Sequence, residues 1–203
     1  AEMIKRVAEI VKSQIHRNPV VVVSAFSGVT DTAIKLANDA LKGDTDIKEI
    51  SNRHFDVMKG LGLDVSLLQH ELEELEIIIK GVSMLKELTP RSLDLIMSFG
   101  ERMSSKIVAA CLSNHGLNAK AYNAYDIGFV TDSNFGNAEV LEETEHNIKK
   151  FFNGVDSVPV VTGFIAKDSK GEITTLGRGG SDYTASIIGA ALNAEEVQIW
   201  TDA

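Results

Sequence analysis

Pro19-Val20-Val21-Val22-Val23-Ser24-Ala25 is the stretch whose reading decides the fold. Its valines are β-branched and would stand on both faces of an extended chain. Strands that are apolar on both faces belong in the middle of a parallel sheet covered by helices. Residues 157–164 (Ser-Val-Pro-Val-Val-Thr-Gly-Phe) and 196–200 (Glu-Val-Gln-Ile-Trp) have the same character, and Ala119-Lys120-Ala121-Tyr122 is a shorter candidate. Helical patterns alternate with these runs over residues 2–15, 92–114, 139–151 and 183–193. Such alternation predicts an α/β fold with a mostly parallel sheet. The stretch from Gly163 to Thr175 reads as a hairpin turning at Asp168-Ser169-Lys170-Gly171.

Residues 32–90 interrupt the alternation and read as helices throughout. Leu68, Leu72, Leu75, Ile79, Val82 and Leu85 form an apolar stripe, and Glu71, Glu73, Glu74 and Glu76 suggest a solvated opposite face. Packing within the chain is the expected cover for the stripe, with a second subunit as the other choice. No repeat, low-complexity segment or linker is visible, so one domain is expected over 1–203. The chain starts without Met inside a helical pattern and stops after a strand-like run, which reads as a domain cut at both ends.

Composition narrows the function. Hydrophobic residues make up 44% and charged residues 24% of the 203, as in a globular protein. The net charge of -9 speaks against nucleic acid as the main partner. No apolar run approaches the ~20 residues of a membrane-spanning helix, and no signal-peptide pattern is seen. The single Cys111 excludes an internal disulfide, suits a cytoplasmic location, and reads as a buried small residue.

Three polar constellations stand out. In the first, Thr174-Thr175-Leu176-Gly177-Arg178-Gly179-Gly180-Ser181-Asp182-Tyr183-Thr184 packs glycines, an arginine and an acid between a strand end and a helix. Glycine there lets a ligand approach the backbone, and a helix N-terminus suits an anion. Ser181 or Asp182 fits the N-cap of a helix from Tyr183 to Leu192. Arg178 offers a planar fork for carboxylate or phosphate. The plainer alternative is a capped strand–turn–helix joint.

The second, Ser24-Ala25-Phe26-Ser27-Gly28-Val29-Thr30-Asp31, follows the first strand, where α/β sheets bind ligands; its alternative is helix capping by Thr30 or Asp31. The third, Ser98-Phe99-Gly100-Glu101-Arg102-Met103-Ser104-Ser105, puts a charge pair inside an apolar helix. Glu101 there must be paired or face a polar cavity: it can hold a substrate ammonium, or pair with Arg102 or another base. Walker-type, Gly-x-Gly-x-x-Gly and Gly-x-Ser-x-Gly patterns are missing. His16, His54, His70, His115 and His146 lack metal-ligand spacing, so no metal site is expected.

Residues 22–31, 88–92 (Leu-Thr-Pro-Arg-Ser), 98–105, 160–165 (Val-Val-Thr-Gly-Phe-Ile), 174–185 and 199–202 (Ile-Trp-Thr-Asp), taken in order, resemble the aspartokinases of the amino acid kinase family. The resemblance implies a three-layer α/β/α sandwich, and phosphoryl transfer from MgATP to the β-carboxylate of L-aspartate, the first step toward lysine, threonine and methionine. It implies that Ser24 and Thr30 line the aspartate pocket, that Glu101 holds the ammonium, and that Arg178 binds the α-carboxylate. Gly179, Gly180 and Ser181 would shape the loop near the transferred phosphoryl group, and Asp182 would organise catalytic lysines. Thr201 and Asp202 would begin the nucleotide pocket. A homo-oligomer is expected. The Lys-Phe-Gly-Gly-Thr-Ser segment with which the family begins is missing, as are the later nucleotide-binding and regulatory parts. The expectation is therefore a catalytic-domain fragment, inactive by itself, whose parent is an aspartokinase. The rival readings are a kinase for another small acid and a noncatalytic subunit that retains the fold.

Overall fold

The structure, a computed structural model, describes residues 1–201. Its organising element is a parallel sheet in which β4 (Val158–Thr162) lies between β1 (Val21–Val23) and β2 (Ala119–Tyr122). Val21 aligns with Val160 and Val23 with Thr162 on one side, and Ala119 with Val158 on the other. Every residue of β4 is buried. The valine run does fill both faces of the sheet. Val21 and Val23 pack with Val158 and Val160 against α1 (Glu2–Ser13) and the C-terminal half of α5 (Pro90–Asn114). Val20, Val22 and Val161 pack on the opposite side with Ile148 of α6 (Glu143–Phe152) and Ile188 of α7 (Gly180–Ala191). The result is a three-layer α/β/α sandwich: the parallel sheet follows from the alternation, and the layering is what the family resemblance implies. β1, expected in mid-sheet, is an edge strand among the described residues.

A second sheet pairs β3 (Val130–Thr131) parallel to β5 (Ile165–Asp168), and β5 antiparallel to β6 (Ile173–Thr175). The hairpin turns where predicted. Asp168 Oδ1 accepts from the amides of Lys170 and Glu172, both at 2.9 Å, and Gly171 takes φ 82°. That positive φ is the reason for glycine at the turn.

Helices α2 (Val29–Ala40), α3 (Lys48–Leu61) and α4 (Gln69–Leu85) build a separate apolar cluster with the N-terminal half of α5. Leu68, Leu75, Ile79 and Val82 of the predicted stripe are buried within the chain, while Leu85 is exposed. α5 starts as its sequence suggests: Thr89 caps it by accepting from Ser92 N at 3.1 Å, with Pro90 in the first turn.

Four local expectations need correction. Residues 196–200 form no strand; they are exposed, and Glu195 and Glu196 are drawn to Arg17. An apolar run becomes a strand only where a neighbour accepts its backbone bonds. Neither Ser181 nor Asp182 caps α7, and neither Thr30 nor Asp31 caps α2. Both N-caps are glycines, Gly179 and Gly28, each at φ 74°. The left-handed turn places the helix start two to three residues earlier than a side-chain cap would. Finally, Glu71 is not solvated. It is buried beside Lys106, whose Nζ lies 2.6 Å from Oε1. Packing of α4 against α5 covers that side of the helix too.

Candidate functional site

The two glycine-capped helices open onto one cavity of about 260 Å³. It is lined by Ser24, Thr30, Glu101 and Phe164, and by the run from Gly177 to Asp182. Residues from all three polar constellations thus meet, although they lie far apart in the chain. Thr201 is exposed and outside this lining. Asp202 lies outside the described residues.

α5 supplies the floor. Gly100 lets the helix approach the β1–α2 loop so closely that a Cβ there would sit 2.8 Å from the Ala25 methyl. Two polar contacts complete the junction: Ser104 Oγ donates to Ser24 O at 2.7 Å, and Ala25 N donates to Glu101 Oε1 at 3.0 Å. Arg53 Nη1 of α3 braces the same loop at Ser27 O, 2.9 Å away.

Glu101 is only 2% exposed. Its Oε2 has no hydrogen-bond partner among the described residues. Burial pushes its carboxyl up to about 7, with the Ala25 amide pulling the other way. Arg102 does not neutralise it. That guanidinium turns to Glu74 of α4, at 2.5 Å, and lies over the Phe99 ring. Of the alternatives open from spacing, pairing with Arg102 is therefore excluded. A buried carboxylate oxygen without a donor, on a residue that lines the cavity, is an acceptor for a cationic ligand.

The opposite wall is the β6–α7 loop. Leu176 N donates to Phe164 O, and Phe164 N donates to Thr184 Oγ1. These bonds pin Phe164 at φ 64°, a left-handed conformation unusual for a bulky residue. Backbone strain of this kind concentrates at functional sites. Gly180 N and Tyr183 N are taken by Gly177 O and Gly179 O. The Ser181 and Asp182 amides lie between them, at the positive end of the helix. A Cβ at Gly179 would meet nothing within 4 Å, so the space above the loop is open. Arg178 and Asp182 are exposed at its rim.

Gly163 sets how closely α7 approaches. A Cβ there would lie 2.6 Å from Ser181 Oγ and 2.7 Å from Ser181 Cα. Gly163→Ala should destabilise the protein by about 1–3 kcal/mol, because backbone must move. Urea unfolding reads this directly, and an unchanged midpoint would contradict the contact.

Two lining residues, Phe164 and Gly177, are absent from the residues expected from sequence. Gly177 belongs to a recognisable loop; the backbone angle that brings Phe164 into the wall has no sequence signal, since non-glycine residues rarely take it.

The whole chain, residues 1–203, matches the pattern of the amino acid kinase family. It is 40% identical to aspartokinase 1, chloroplastic, of Arabidopsis thaliana over 214 residues, covering 100% of this chain and 38% of that protein. It is 38% identical to an aspartokinase of Thermus thermophilus, over 70% of this chain and 34% of that protein. Among solved structures it resembles E. coli aspartokinase III in complex with lysine and aspartate, with TM-score 0.80 and 28% identity, over 99% of this chain and 46% of that one. The same enzyme in complex with aspartate and ADP gives TM-score 0.77 and 26% identity, again over 99% of this chain and 46% of that one. The chain thus spans about a third to just under half the length of these relatives.

Proposed function

The chain belongs to the amino acid kinase family, and on that premise we propose that it is the aspartate-binding part of an aspartokinase catalytic domain, with α2–α4 as a helical insertion. The observation that carries the proposal is the pairing of a buried, donor-less Glu101 Oε2 with an arginine-bearing, glycine-rich helix N-terminus across one cavity. An α-amino acid presents an ammonium and a carboxylate on one carbon, and these two walls have opposite preferences. Glu101 holds the ammonium. Arg178 grips the α-carboxylate with two parallel N–H donors. Ser24 and Thr30 offer hydroxyls beside them.

The side-chain carboxylate is then free to point toward the α7 N-terminus. In the proposed reaction one of its oxygens attacks the γ-phosphorus of ATP. A new O–P bond forms, the bond to the ADP oxygen breaks, and 4-phospho-L-aspartate and ADP result. Gly179, Gly180 and Ser181 surround the transferred group, where backbone amides and the helix dipole favour negative charge. Such transfer needs positioning and charge neutralisation more than covalent help. Magnesium enters with ATP as part of the co-substrate. Asp182 stands at the rim to orient cationic groups, and in this proposal Thr201 and Asp202 begin the nucleotide pocket. The same proposal includes a role in lysine, threonine and methionine biosynthesis, a cytoplasmic location and a homo-oligomeric assembly. Cys111 is free and buried, in keeping with a reducing compartment.

The test is ATP-dependent acyl phosphate formation, trapped as the hydroxamate, with the protein in its full-length context. L-Aspartate should be phosphorylated in preference to glutamate, acetylglutamate and carbamate. Turnover of another acid instead would transfer the site to that substrate, and binding without turnover would make the protein a noncatalytic relative.

A further inference from the structure

Asp94 lies in α5 about two helical turns before Glu101, on the same side of the helix. It is 1% exposed and does not line the cavity. Its partners are Gly136 N and Thr175 N, both 2.9 Å from Oδ2, and Thr175 Oγ1, 2.9 Å from Oδ1. None of the three is charged. Burial raises its carboxyl above the ordinary range, and the three donors pull it back. A charge kept in such a place, where an apolar side chain would pack at less cost, points to a geometric task.

The partners indicate the task. Thr175 ends β6, and the cavity run begins two residues later. Gly136 belongs to the loop beneath that run: a Cβ at Gly177 would fall 2.5 Å from Asn137 Oδ1. Ala138 N donates to Thr175 O at 2.9 Å, closing the same junction. One carboxylate therefore ties the helix that carries Glu101 to the strand end that launches Arg178.

We propose that Asp94 is a positioning residue that holds the Arg178 loop in register with Glu101, so that the ammonium and the α-carboxylate of one amino acid are gripped together. The inference rests on the substrate reading above. Asp94 touches no substrate and acts through Arg178.

Three variants and two ligands test it. Asp94→Ala removes both acceptor oxygens and with them all three hydrogen bonds. Asp94→Asn can keep them, its oxygen accepting both amides and its nitrogen donating to Thr175 Oγ1. Thr175→Val deletes only the hydroxyl contact and serves if Asp94→Ala does not fold. Asp94→Ala, or Thr175→Val in its place, should raise the KM for L-aspartate about ten- to hundred-fold, with a smaller change in kcat. Asp94→Asn should restore most of the loss. 3-Aminopropanoate keeps the amine and the distal carboxylate but lacks the group that Arg178 binds. Its affinity, read by competition, should be the same in the wild type and the variants. Equal losses for both ligands, or no loss for aspartate, would overturn the proposal.

Amide hydrogen exchange over residues 176–183 supplies a readout that needs no substrate. Exchange there should accelerate in Asp94→Ala or Thr175→Val and return toward wild type in Asp94→Asn. Unchanged exchange overturns the positioning role. Accelerated exchange in a protein whose wild type ignores aspartate upholds the brace and overturns the substrate reading instead.

Discussion

Arg178→Ala is expected to weaken L-aspartate binding by roughly 2–5 kcal/mol, the usual cost of truncating one partner of a hydrogen-bonded charge pair that becomes buried in the complex, as the Arg178–carboxylate pair would when the ligand covers it. At about 1.4 kcal/mol per decade, that is a loss of some thirty- to several-thousand-fold. The fold should not suffer. Arg178 is exposed, on a loop whose shape is set by Gly177, Gly179 and the backbone bonds around Phe164. Surface changes away from such features shift stability by at most about 0.5 kcal/mol. Arg178→Lys should recover only part of the affinity, since an ammonium cannot reproduce the planar fork. Calorimetric titration beside thermal unfolding separates the two effects. Affinity within a few-fold of wild type would remove Arg178 from the site.

The second large effect concerns Glu101, where binding and stability should move in opposite directions. Its carboxyl titrates at about 7 in the folded protein because burial disfavours the charged form. In the unfolded chain it titrates near the ordinary 4.5. Between these values the native state holds a proton that the unfolded state has lost. Stability therefore falls as pH rises from about 4.5 to 7, and stays low above. The difference corresponds to about 3 kcal/mol of destabilisation above neutrality in the ligand-free protein.

Glu101→Gln removes that penalty while its oxygen still accepts from Ala25 N. The variant should be more stable than wild type at pH 8, with little difference at pH 4.5. It should also lose aspartate binding, because a neutral amide offers an ammonium no charge. In the wild type, binding should strengthen as pH rises through 7, since the ionised carboxylate is the binding form. Urea midpoints across pH 4.5–8 for both proteins decide the matter. A wild-type stability that stays flat or rises across that window would place the Glu101 carboxyl near its ordinary range. Undiminished binding by Glu101→Gln would reassign the ammonium site.

Much of this was legible in the sequence because it depends on near neighbours. The four valines of residues 20–23 dictate a strand buried on both faces, wherever that strand pairs. The periodicity of α5 and its Thr89-Pro90 start is local in the same way, as is the Asp168–Gly171 turn. The Gly177–Asp182 loop announces its chemistry through its residue types alone.

The limits appear where an outcome depends on what a residue meets. Val197, Ile199 and Trp200 have strand composition, yet the segment is exposed coil. A lone strand has nowhere to place its backbone hydrogen bonds. The glycine N-caps of α2 and α7 were hidden for a different reason. Serine, threonine and aspartate stand just beyond them, and each is at least as good a cap by propensity.

The sequence by itself determined the α/β architecture, the α2–α4 helices and the residue types of the site, because strand and helix periods and turn chemistry are written over a few adjacent positions. Only the tertiary structure decided which carboxylates are engaged. Arg102 reaches Glu74 across 28 positions of chain, Ala25 meets Glu101 across 76, and Asp94 meets Thr175 across 81. Whether a buried charge is paired, braced or left for a ligand depends on distances of about 3 Å between such remote residues. Packing of the helices onto the sheet sets those distances. It leaves Glu101 Oε2 without a donor among the described residues, on a side chain that lines the cavity where Arg178 stands at the rim.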